Sequence, residues 1–305
     1  MTAPTRLRDR VLQAIREQAL WTPGQTVALA VSGGLDSVAL LHLLHRLQGA
    51  HGGRLSVVTV DHGTRPDSAE HARFVADRAR DLGLACEVVT VELGAGASED
   101  RCRQARYAAF DALDVDRVAL AHHRDDQAET VLLRWVRGAG TRGLAGMAPR
   151  RGRYVRPLLR LARAELEAYV AAVGLEWRED ETNAEPRYLR NRVRHELLPL
   201  LEDLRPGATA TLARTARLAA EDDALLVSLA TAACPQHGST WNTADLVRAA
   251  PPLARRALLL VLPAATSAQI DAILAACRSG AGAVALSDRR QVRIDRDLVS
   301  ILCEP

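Results

Sequence analysis

The chain has 305 residues, of which 48% are hydrophobic and 25% are charged, and its formal net charge is only +3. This length and apolar content allow a large buried core and predict two domains rather than one. So small a net charge does not by itself indicate a nucleic-acid partner.

The cysteine content argues against several classes of protein. The five cysteines are odd in number, lie far apart and form no Cys-x-x-Cys pair; they are Cys86, Cys102, Cys234, Cys277 and Cys303. This pattern argues against a disulfide framework and against a zinc or iron–sulfur site. It predicts that the protein is located in the reducing cytoplasm. No stretch reaches the roughly eighteen apolar residues that a membrane helix needs, so no membrane partner is expected.

A strand, a glycine turn and a helix are predicted over residues 26–41, after an amphipathic helix over residues 7–20. The strand is aliphatic throughout, which is typical of the centre of a parallel sheet. Gly33 and Gly34 then let backbone N–H groups approach a phosphate at a helix N-terminus, where the partial positive charge favours anions.

Polar side chains flank these glycines. Ser32 and Ser37 would supply hydroxyl donors, and Asp36 would supply a carboxylate for Mg²⁺ on the phosphates. Taken alone, the string also fits a tight connection with an acidic first helical turn. The whole string resembles the pyrophosphate loop of the N-type ATP pyrophosphatases, which cleave ATP between the α and β phosphates. The resemblance implies ATP as co-substrate and a nucleotide site formed by Ser32, Gly33, Gly34, Leu35, Asp36 and Ser37.

Strands and helices then alternate along the chain. Strands are predicted over residues 55–60 and 86–93, and helices over residues 67–82 and 98–113. This alternation predicts an α/β fold with a doubly wound parallel sheet, Rossmann-like, as in the N-type ATP pyrophosphatases that the turn resembles.

Polar and basic residues follow these elements at the expected ligand edge. Asp61 and His62 end the second strand, where doubly wound folds bind ligands, so Asp61 is expected to face the nucleotide. A turn aspartate beside a solvated histidine is the alternative. Arg103 and Arg106 share one helix face and could reach a phosphate, or could form a solvated basic face.

A second strand that breaks into a helix lies within residues 117–134. Two histidines, two aspartates, one glutamine and one glutamate fall within eight residues there. On a helix, Asp126 and Glu129 share a face, where two carboxylates can bind a metal or an ammonium group. An acidic helix start would explain the aspartates but would leave His122 and His123 without a role.

Four strings of the chain resemble the signatures of the bacterial tRNA(Ile)-lysidine synthases, in the same order and at similar distances. They are residues 122–130, 137–147, 177–183 and 187–199. The resemblance implies ATP-dependent ligation of L-lysine to C2 of the wobble cytidine, position 34, of a CAU-anticodon tRNA(Ile). The cytidine would first be adenylated, and AMP and pyrophosphate would be released.

The resemblance also implies roles for individual residues. His123 would contact the nucleotide, and Arg103 and Arg192 would offset the developing charge on the phosphate. Asp36 and Asp126 would bind Mg²⁺, whereas Asp126 and Glu129 would bind the ammonium of lysine. The two roles of Asp126 compete, and the sequence leaves both open.

Residues 130–164 form a basic segment, with nine arginines, five glycines and no acidic residue. This predicts a flexible loop that meets a phosphate backbone, although a role in solubility alone is the competing interpretation. In residues 180–194, arginines can hold phosphate, and Asn183 can read a base edge or hold a loop. The residues expected to bind tRNA are Arg142, Arg150, Arg151, Arg153, Arg190, Asn191 and Arg194.

Three regions are predicted. Residues 1–205 form the catalytic domain, with a last strand over residues 154–159, and residues 206–240 form a helical connector that ends in a loop. Residues 241–305 form a small α+β domain that carries no catalytic constellation and is expected to dock the substrate. The oligomeric state is open, with a homodimer among the options.

Two other functions remain as alternatives. Thiolation of a tRNA cytidine uses the same adenylation, but those enzymes usually hold cysteine pairs, which this chain lacks. A tRNA-binding protein without activity would not need the intact glycine turn, carboxylates and histidine pair. The chain contains no lysine, so the attacking amine must arrive as a substrate.

Overall fold

The structure, a computed structural model, describes residues 3–63, 68–91, 93–94, 98–178, 189–286 and 290–303. The chain divides into two compact units, Met1–Arg217 and Leu218–Pro305, which are described separately below. The boundaries predicted at residues 205 and 240 stay a prediction.

The first unit alternates strands and helices. The elements are α1 (Ala3–Glu17), β1 (Thr26–Ala30), α2 (Leu35–Arg46), α3 (Gln48–His51), β2 (Arg54–Asp61), α4 (Ser68–Asp81), β3 (Cys86–Thr90), α5 (Glu99–Ala112), β4 (Arg117–Ala119), α6 (Arg124–Val136), α7 (Thr141–Leu144), β5 (Arg150–Arg151), β6 (Tyr154–Val155), α8 (Arg163–Val173), α9 (Leu189–Arg192), a π-helical turn (Val193–Leu197) and α10 (Leu198–Leu204). A longer helix, α11 (Ala208–Ala233), contains the boundary between the units.

The strand order of the first sheet is β3-β2-β1-β4-β6-β5, and only the β5–β6 pair is antiparallel. Strand β1 pairs in parallel with β2 on one side and with β4 on the other. The chain therefore builds outward from β1 to β3 and then returns to the opposite side of β1. Doubly wound sheets bind ligands at such a switch point, outside the carboxyl ends of the strands. The turns after β1 and β4 meet that condition.

Alternate residues of β1 pack on opposite faces of the sheet, as strand geometry requires. Val27 and Leu29 contribute to a core built with α1, α2, α4 and α8. Ala28 packs on the other face with Phe110 of α5 and Val118 of β4. Helices on both faces bury both sides of the strands, which explains why β1 has no polar side chain in its interior.

The second unit is a small α+β structure. Its elements after α11 are β7 (Gln236–His237), β8 (Thr240–Asn242), α12 (Thr243–Arg248), α13 (Pro251–Val261), α14 (Ser267–Ser279), β9 (Gly282–Ala285), β10 (Arg290–Ile294) and β11 (Leu298–Cys303). The strands form one antiparallel sheet in the order β7-β8-β11-β10-β9. Helix α11 is the longest described, yet no described helix is long and apolar enough to cross a membrane. The predicted fold class is confirmed.

Several predicted elements differ in extent. The strand predicted over residues 154–159 stops at Val155, because Pro157 has no N–H to donate to a sheet. The loop that was predicted to end the connector, residues 235–240, contains β7, which pairs with β8 in a hairpin. The first helix lies earlier than predicted, at Ala3–Glu17, and β3 ends at Thr90 rather than at residue 93.

Candidate active site

The turn between β1 and α2 is shaped by Gly33. Its φ is +87°, in the left-handed region that favours glycine, whereas an added Cβ would meet only ordinary contacts at 3.5 Å. Gly34 has an extended backbone and precedes α2, and its Cβ would likewise meet nothing closer than 3.7 Å. Steric contacts among the described residues therefore do not require Gly34. A helix N-terminus of this kind favours an anion.

The two serines of this turn hold the backbone in place. Ser37 Oγ donates to the Gly34 carbonyl at 2.8 Å and accepts from the Ser32 amide at 3.2 Å. No side chain of the helix caps α2, since its N-cap residue is glycine. The first N–H groups of α2 therefore have no intrahelical partner and point out of the helix.

The turn between β4 and α6 starts the second half of the site. His123 is the N-cap of α6: its Nδ1 accepts from the Asp126 amide at 3.4 Å, and Asp126 Oδ2 accepts from the His123 amide at 3.0 Å. This reciprocal arrangement is a capping box with a histidine in the usual place of serine or threonine. Asp125 accepts from the Arg163 amide at 3.0 Å, which ties α6 to the start of α8.

His123 joins the two turns. Its Nε2 lies 3.5 Å from Asp36 Oδ2 and 3.5 Å from Asp126 Oδ2, so the three predicted residues do meet at the switch point. The imidazole is 1% exposed. The other oxygen of Asp36, Oδ1, is buried and has no hydrogen-bond partner among the described residues. A buried carboxylate oxygen without a partner is costly unless a ligand or ion completes it.

Two arginines neutralise the carboxylates on α6. Glu129, 1% exposed, accepts from Arg190 Nε at 2.9 Å and from Arg194 Nε at 2.5 Å. Asp126 Oδ1 accepts from Arg194 at 2.9 Å and from Arg190 at 3.3 Å. Two acids and two bases thus form a balanced cluster. Such a cluster is stable only while every member keeps its partners.

The charges of this cluster shift two pKa values in opposite senses. Burial alone would lower the pKa of His123, but the bond to Asp36 and the charges of Asp126, Asp36 and Asp125 outweigh it and raise the pKa. Burial would raise the pKa of Asp126, but the charges of the two histidines and Arg190 and the His123 amide lower it. Asp126 is therefore ionised at neutral pH.

His122 lies beside the cluster, and its pKa is lowered whereas the pKa of His123 is raised. Burial lowers its pKa to about 4, and the positive charges of Arg156, Arg190 and Arg103 act in the same direction against the pull of Asp126. The residue keeps some exposure, but its Nδ1 is buried without a described hydrogen-bond partner. The imidazole is therefore neutral at pH 7 and adds no positive charge to the site. The sequence marks His122 only as half of a histidine pair.

The donors at the two turns fit Mg²⁺ on the Asp36 side. Mg²⁺ is usually held by one or two carboxylates together with substrate phosphates, and Asp36 Oδ1 is an unpartnered oxygen at the glycine turn. Asp126 is less suited, since both of its oxygens already accept hydrogen bonds. The described residues contain no group of three ligands that would hold a metal without substrate.

Other residues predicted for the nucleotide and phosphate lie in separate contacts. Asp61 accepts from the Gly63 amide at 3.0 Å, and no described contact joins it to Asp36. Arg103 lies over the ring of Tyr107, at 5.2 Å from its centroid, and acts on His122 through its charge. Arg192 forms an exposed pair with Glu196 instead of reaching the buried cluster.

The residues predicted to bind tRNA fall into two groups. Arg190 and Arg194 contact the buried carboxylates, as described above, whereas Asn191 is half-buried between them in sequence. In the basic segment Arg142, Arg150 and Arg151 are exposed. Arg150 also donates to the Ala19 carbonyl, and the half-buried Arg153 donates to the carbonyls of Asp111, Leu113 and Val115. Asn183 lies outside the described residues.

The glycine-rich part of the basic segment is anchored, which corrects the expectation of a flexible loop. The Gln127 side chain donates to the Met147 carbonyl at 3.0 Å and accepts from its amide at 2.7 Å. Arg134 donates to the carbonyls of Gly143 and Gly146 at 3.0 and 2.7 Å. A Cβ on Gly146, whose φ is +63°, would lie 2.7 Å from Gln127. Helix α6 therefore carries both the carboxylates and the anchors of this segment.

The comparisons with known proteins point to one family. Residues 4–201 match the family model described as a PP-loop domain. A tRNA(Ile)-lysidine synthase of Geobacter sulfurreducens is 44% identical over 275 residues, covering 82% of this chain and 58% of that protein. One of Thermobifida fusca is 47% identical over 227 residues, covering 72% of this chain and 69% of that protein.

A solved structure supports the fold alone. The U34-tRNA thiolase NcsA from Methanococcus maripaludis, with its 4Fe-4S cluster, gives a TM-score of 0.58 at 18% identity, covering 70% of this chain and 79% of that chain.

The switch-point sheet, the glycine turn and the matching domain place the chain in the class of PP-loop proteins. More narrowly, the chain belongs to the tRNA(Ile)-lysidine synthase family. It spans 58%, 48% and 51% of three of the curated relatives that it matches.

Proposed function

We propose that the chain ligates L-lysine to C2 of the wobble cytidine of a CAU-anticodon tRNA(Ile), with ATP converted to AMP and pyrophosphate. The observation that carries this proposal is the meeting of Asp36 and Asp126 at one imidazole, His123, at the switch point of the sheet. Asp36 lies in the first turn of α2, whose N-terminus would bind phosphate. Asp126 belongs to the buried cluster, whose carboxylates would bind an amine. The names of the relatives support a ligase and give no support to thiolation.

In the first step, O2 of the cytosine attacks the α phosphorus of ATP, and pyrophosphate leaves. The open N–H groups of α2, in the turn held by Ser37, would bind the pyrophosphate. Asp36 would hold Mg²⁺, which when bound would neutralise phosphate charge. His123, whose Nδ1 accepts from the Asp126 amide, would present its Nε2–H as a donor beside Asp36 and the same phosphates.

In the second step, the ε-amine of lysine attacks C2 of the adenylated cytidine, and AMP leaves. The two carboxylates on α6, Asp126 and Glu129, would hold the α-ammonium of the incoming lysine, which leaves the ε-amine free to attack in its neutral form. In the structure both are paired with Arg190 and Arg194, so the ammonium would replace a guanidinium rather than add to the cluster. Exchanging one cation for another avoids an unpaired buried carboxylate, which would cost several kcal/mol.

This assignment separates the two roles that competed for Asp126. Mg²⁺ goes to Asp36, which has an unpartnered oxygen, and the ammonium goes to the α6 carboxylates. His122 is neutral and so does not repel the ammonium. The exposed arginines Arg142 and Arg151 would contact the tRNA backbone, and the second unit would dock the tRNA outside the active site.

The test is a pair of assays on the purified full chain. ATP–pyrophosphate exchange is measured with and without a CAU-anticodon tRNA(Ile) transcript, and radiolabelled lysine incorporation is measured with the same transcript. We expect exchange that depends on the transcript and lysine incorporation that is lost when C34 is replaced by U. Incorporation of sulfur from a sulfide donor, or tRNA binding without either activity, would contradict the proposal.

A further inference from the structure

The most exposed tryptophan of the described residues lies at the end of α6. Trp135 is 65% exposed and its neighbour Val136 is 62% exposed, whereas Trp21 and Trp241 are 5% and 1% exposed. Both exposed residues end α6, the helix that carries Asp126 and Glu129. Trp135 lies six positions after Glu129, a distance of about 9 Å along a helix axis.

The backbone behind Trp135 is fixed. The Gly138 amide donates to the Trp135 carbonyl at 2.9 Å, and the Ala139 amide donates to the Arg134 carbonyl at 3.0 Å. The bonds from Arg134 to Gly143 and Gly146 fasten the next turn to the same helix. The indole is therefore carried on an ordered support, and little backbone freedom would be lost when it binds a partner.

The segment that follows Trp135 in the sequence is positively charged. No acidic residue lies between Glu129 and Glu165 in the sequence. Arg134 contacts carbonyls rather than carboxylates among the described residues, and its pKa is lowered by burial and then by the charge of Arg151. The exposed arginines nearby in sequence are Arg137, Arg142, Arg150 and Arg151. An excess of cations around an exposed aromatic ring favours a polyanion over an apolar protein surface.

We propose that Trp135 is a stacking platform for an unpaired base of the tRNA anticodon loop, with Arg137 and Arg151 on the adjacent phosphates. An unpaired base offers a flat face to an indole, and such stacking tolerates any base. Trp135 lies on the same helix as the carboxylate cluster, about 9 Å further along the axis and about a third of a turn away from Glu129, so the platform would take a different nucleotide of the loop than the reacting cytidine. This inference rests on the proposed function and adds to it a residue that fixes the loop.

The test uses the full chain and a fluorescein-labelled stem-loop RNA with the CAU anticodon. Binding is measured by anisotropy for the wild type and for Trp135→Phe, Trp135→Leu and Trp135→Ala. Stacking on an aromatic side chain contributes about 1–3 kcal/mol per base, so Trp135→Ala should bind at least about fivefold more weakly. Trp135→Phe should stay within about threefold of the wild type, and Trp135→Leu should resemble Trp135→Ala.

A second measurement identifies the base. Each loop nucleotide is made abasic in turn, and the loss of affinity is compared between the wild type and Trp135→Ala. At the stacked position the two losses should not add, since both changes remove the same stacking interaction. The emission of Trp135 should also be quenched by the RNA, and this part of the quenching should be absent in Trp135→Phe.

Three outcomes would overturn the inference. Trp135→Ala could bind the stem-loop as tightly as the wild type, or Trp135→Leu could bind as tightly as Trp135→Phe, which would indicate apolar contact without stacking. Sedimentation could also show that Trp135→Ala dissociates a homodimer, which would make this surface a protein interface. Lysine incorporation by the wild type is measured in parallel, so a failure of this inference is distinguishable from a failure of the proposed function.

Discussion

The two turns at the switch point of the sheet bind charge in different ways. The turn after β1 relies on backbone groups and leaves a carboxylate oxygen of Asp36 without a partner among the described residues. The turn after β4 leads into a cluster in which Asp126 and Glu129 are already paired with two arginines. A ligand at the first turn would therefore supply a missing partner to the Asp36 carboxylate. A ligand at the second would have to displace one of the arginines from Asp126 and Glu129. Changes in the first should affect activity more than stability, and changes in the second should affect both.

The largest expected effect is on activity, from Asp36→Asn. The substitution removes the carboxylate charge at the glycine turn, and we expect lysine incorporation to fall at least about a hundredfold, because a metal interaction is worth several kcal/mol in the transition state. The tRNA affinity should change little, and the urea midpoint should fall only slightly, since the one described protein contact of the carboxylate is that of Oδ2 with His123 Nε2 at 3.5 Å and Oδ1 has no described partner. Asp81→Asn, an exposed aspartate at the end of α4, is the matched control. Wild-type incorporation by Asp36→Asn would place the nucleotide elsewhere.

The next largest effect is on stability, from Glu129→Gln. This change leaves Arg190 and Arg194 without one of their buried carboxylates, which typically costs about 3–5 kcal/mol. The KM for lysine should rise as well. Glu196→Gln, which breaks only the exposed pair with Arg192, should leave the urea midpoint almost unchanged. If Glu129→Gln and Glu196→Gln unfold at the same urea concentration, the cluster is not buried as described.

The same contrast explains what the sequence could predict. The glycine turn was predictable because strand, glycines and helix are contiguous, and the chemistry of each residue is local. The partners of Glu129 were not, because they lie 61 and 65 residues further along the chain. With forty basic residues, charge alone does not select which arginines meet a given carboxylate.

The basic segment illustrates the limit in another way. Its composition indicates a basic loop, and Arg137, Arg142 and Arg151 are exposed, but the anchor from Gln127 to Met147 spans 20 residues and has no periodic signature. In the sequence, Gln127 is only a polar residue on a helix face without a local role. The fold class follows from alternating patterns, whereas short strands such as β5 and β7 are missed, since two residues carry no pattern.

A third and smaller effect is on the pH dependence of stability, through His122. Its pKa is about 4 in the folded chain against an ordinary value of 6.5, so the unfolded state binds more protons between these values. Stability should therefore fall as the pH is lowered from 6.5, by at most about 1.4 kcal/mol per pH unit. The difference between the wild type and His122→Asn isolates this contribution from other groups. We expect the wild type to lose about 1–2 kcal/mol more than the variant between pH 6.5 and pH 5, measured by urea unfolding. An equal loss in both would mean that His122 is hydrated.

The fourth prediction distinguishes the arginines of the basic segment that would bind tRNA from those that stabilise the fold. The pair Arg142→Gln and Arg151→Gln should raise the KM for tRNA a few-fold at unchanged kcat, because exposed phosphate contacts act equally in ground and transition states. The slope of log affinity against log salt should fall by roughly one for each phosphate that is no longer neutralised. Arg153→Gln should instead lower the urea midpoint, since Arg153 donates to three backbone carbonyls. A collapse of kcat in the double variant, with the salt slope intact, would make the segment part of the catalytic machinery.

The smallest expected effect comes from the cysteines. Attack by an amine requires neither a thiolate nor a cluster, so replacing all five cysteines should spare lysine ligation in every variant that folds. The four whose side chains are described are free; Cys234 and Cys277 are buried in the second unit, and burial raises the pKa of Cys277 to about 11. These two are best replaced by alanine, and Cys86, Cys102 and Cys303 by serine. Lysine incorporation and circular dichroism are measured on the same preparations. A folded variant that no longer incorporates lysine, or a wild type that transfers sulfur to tRNA, would favour thiolation. The turn after β4 would then not lead to an amine site.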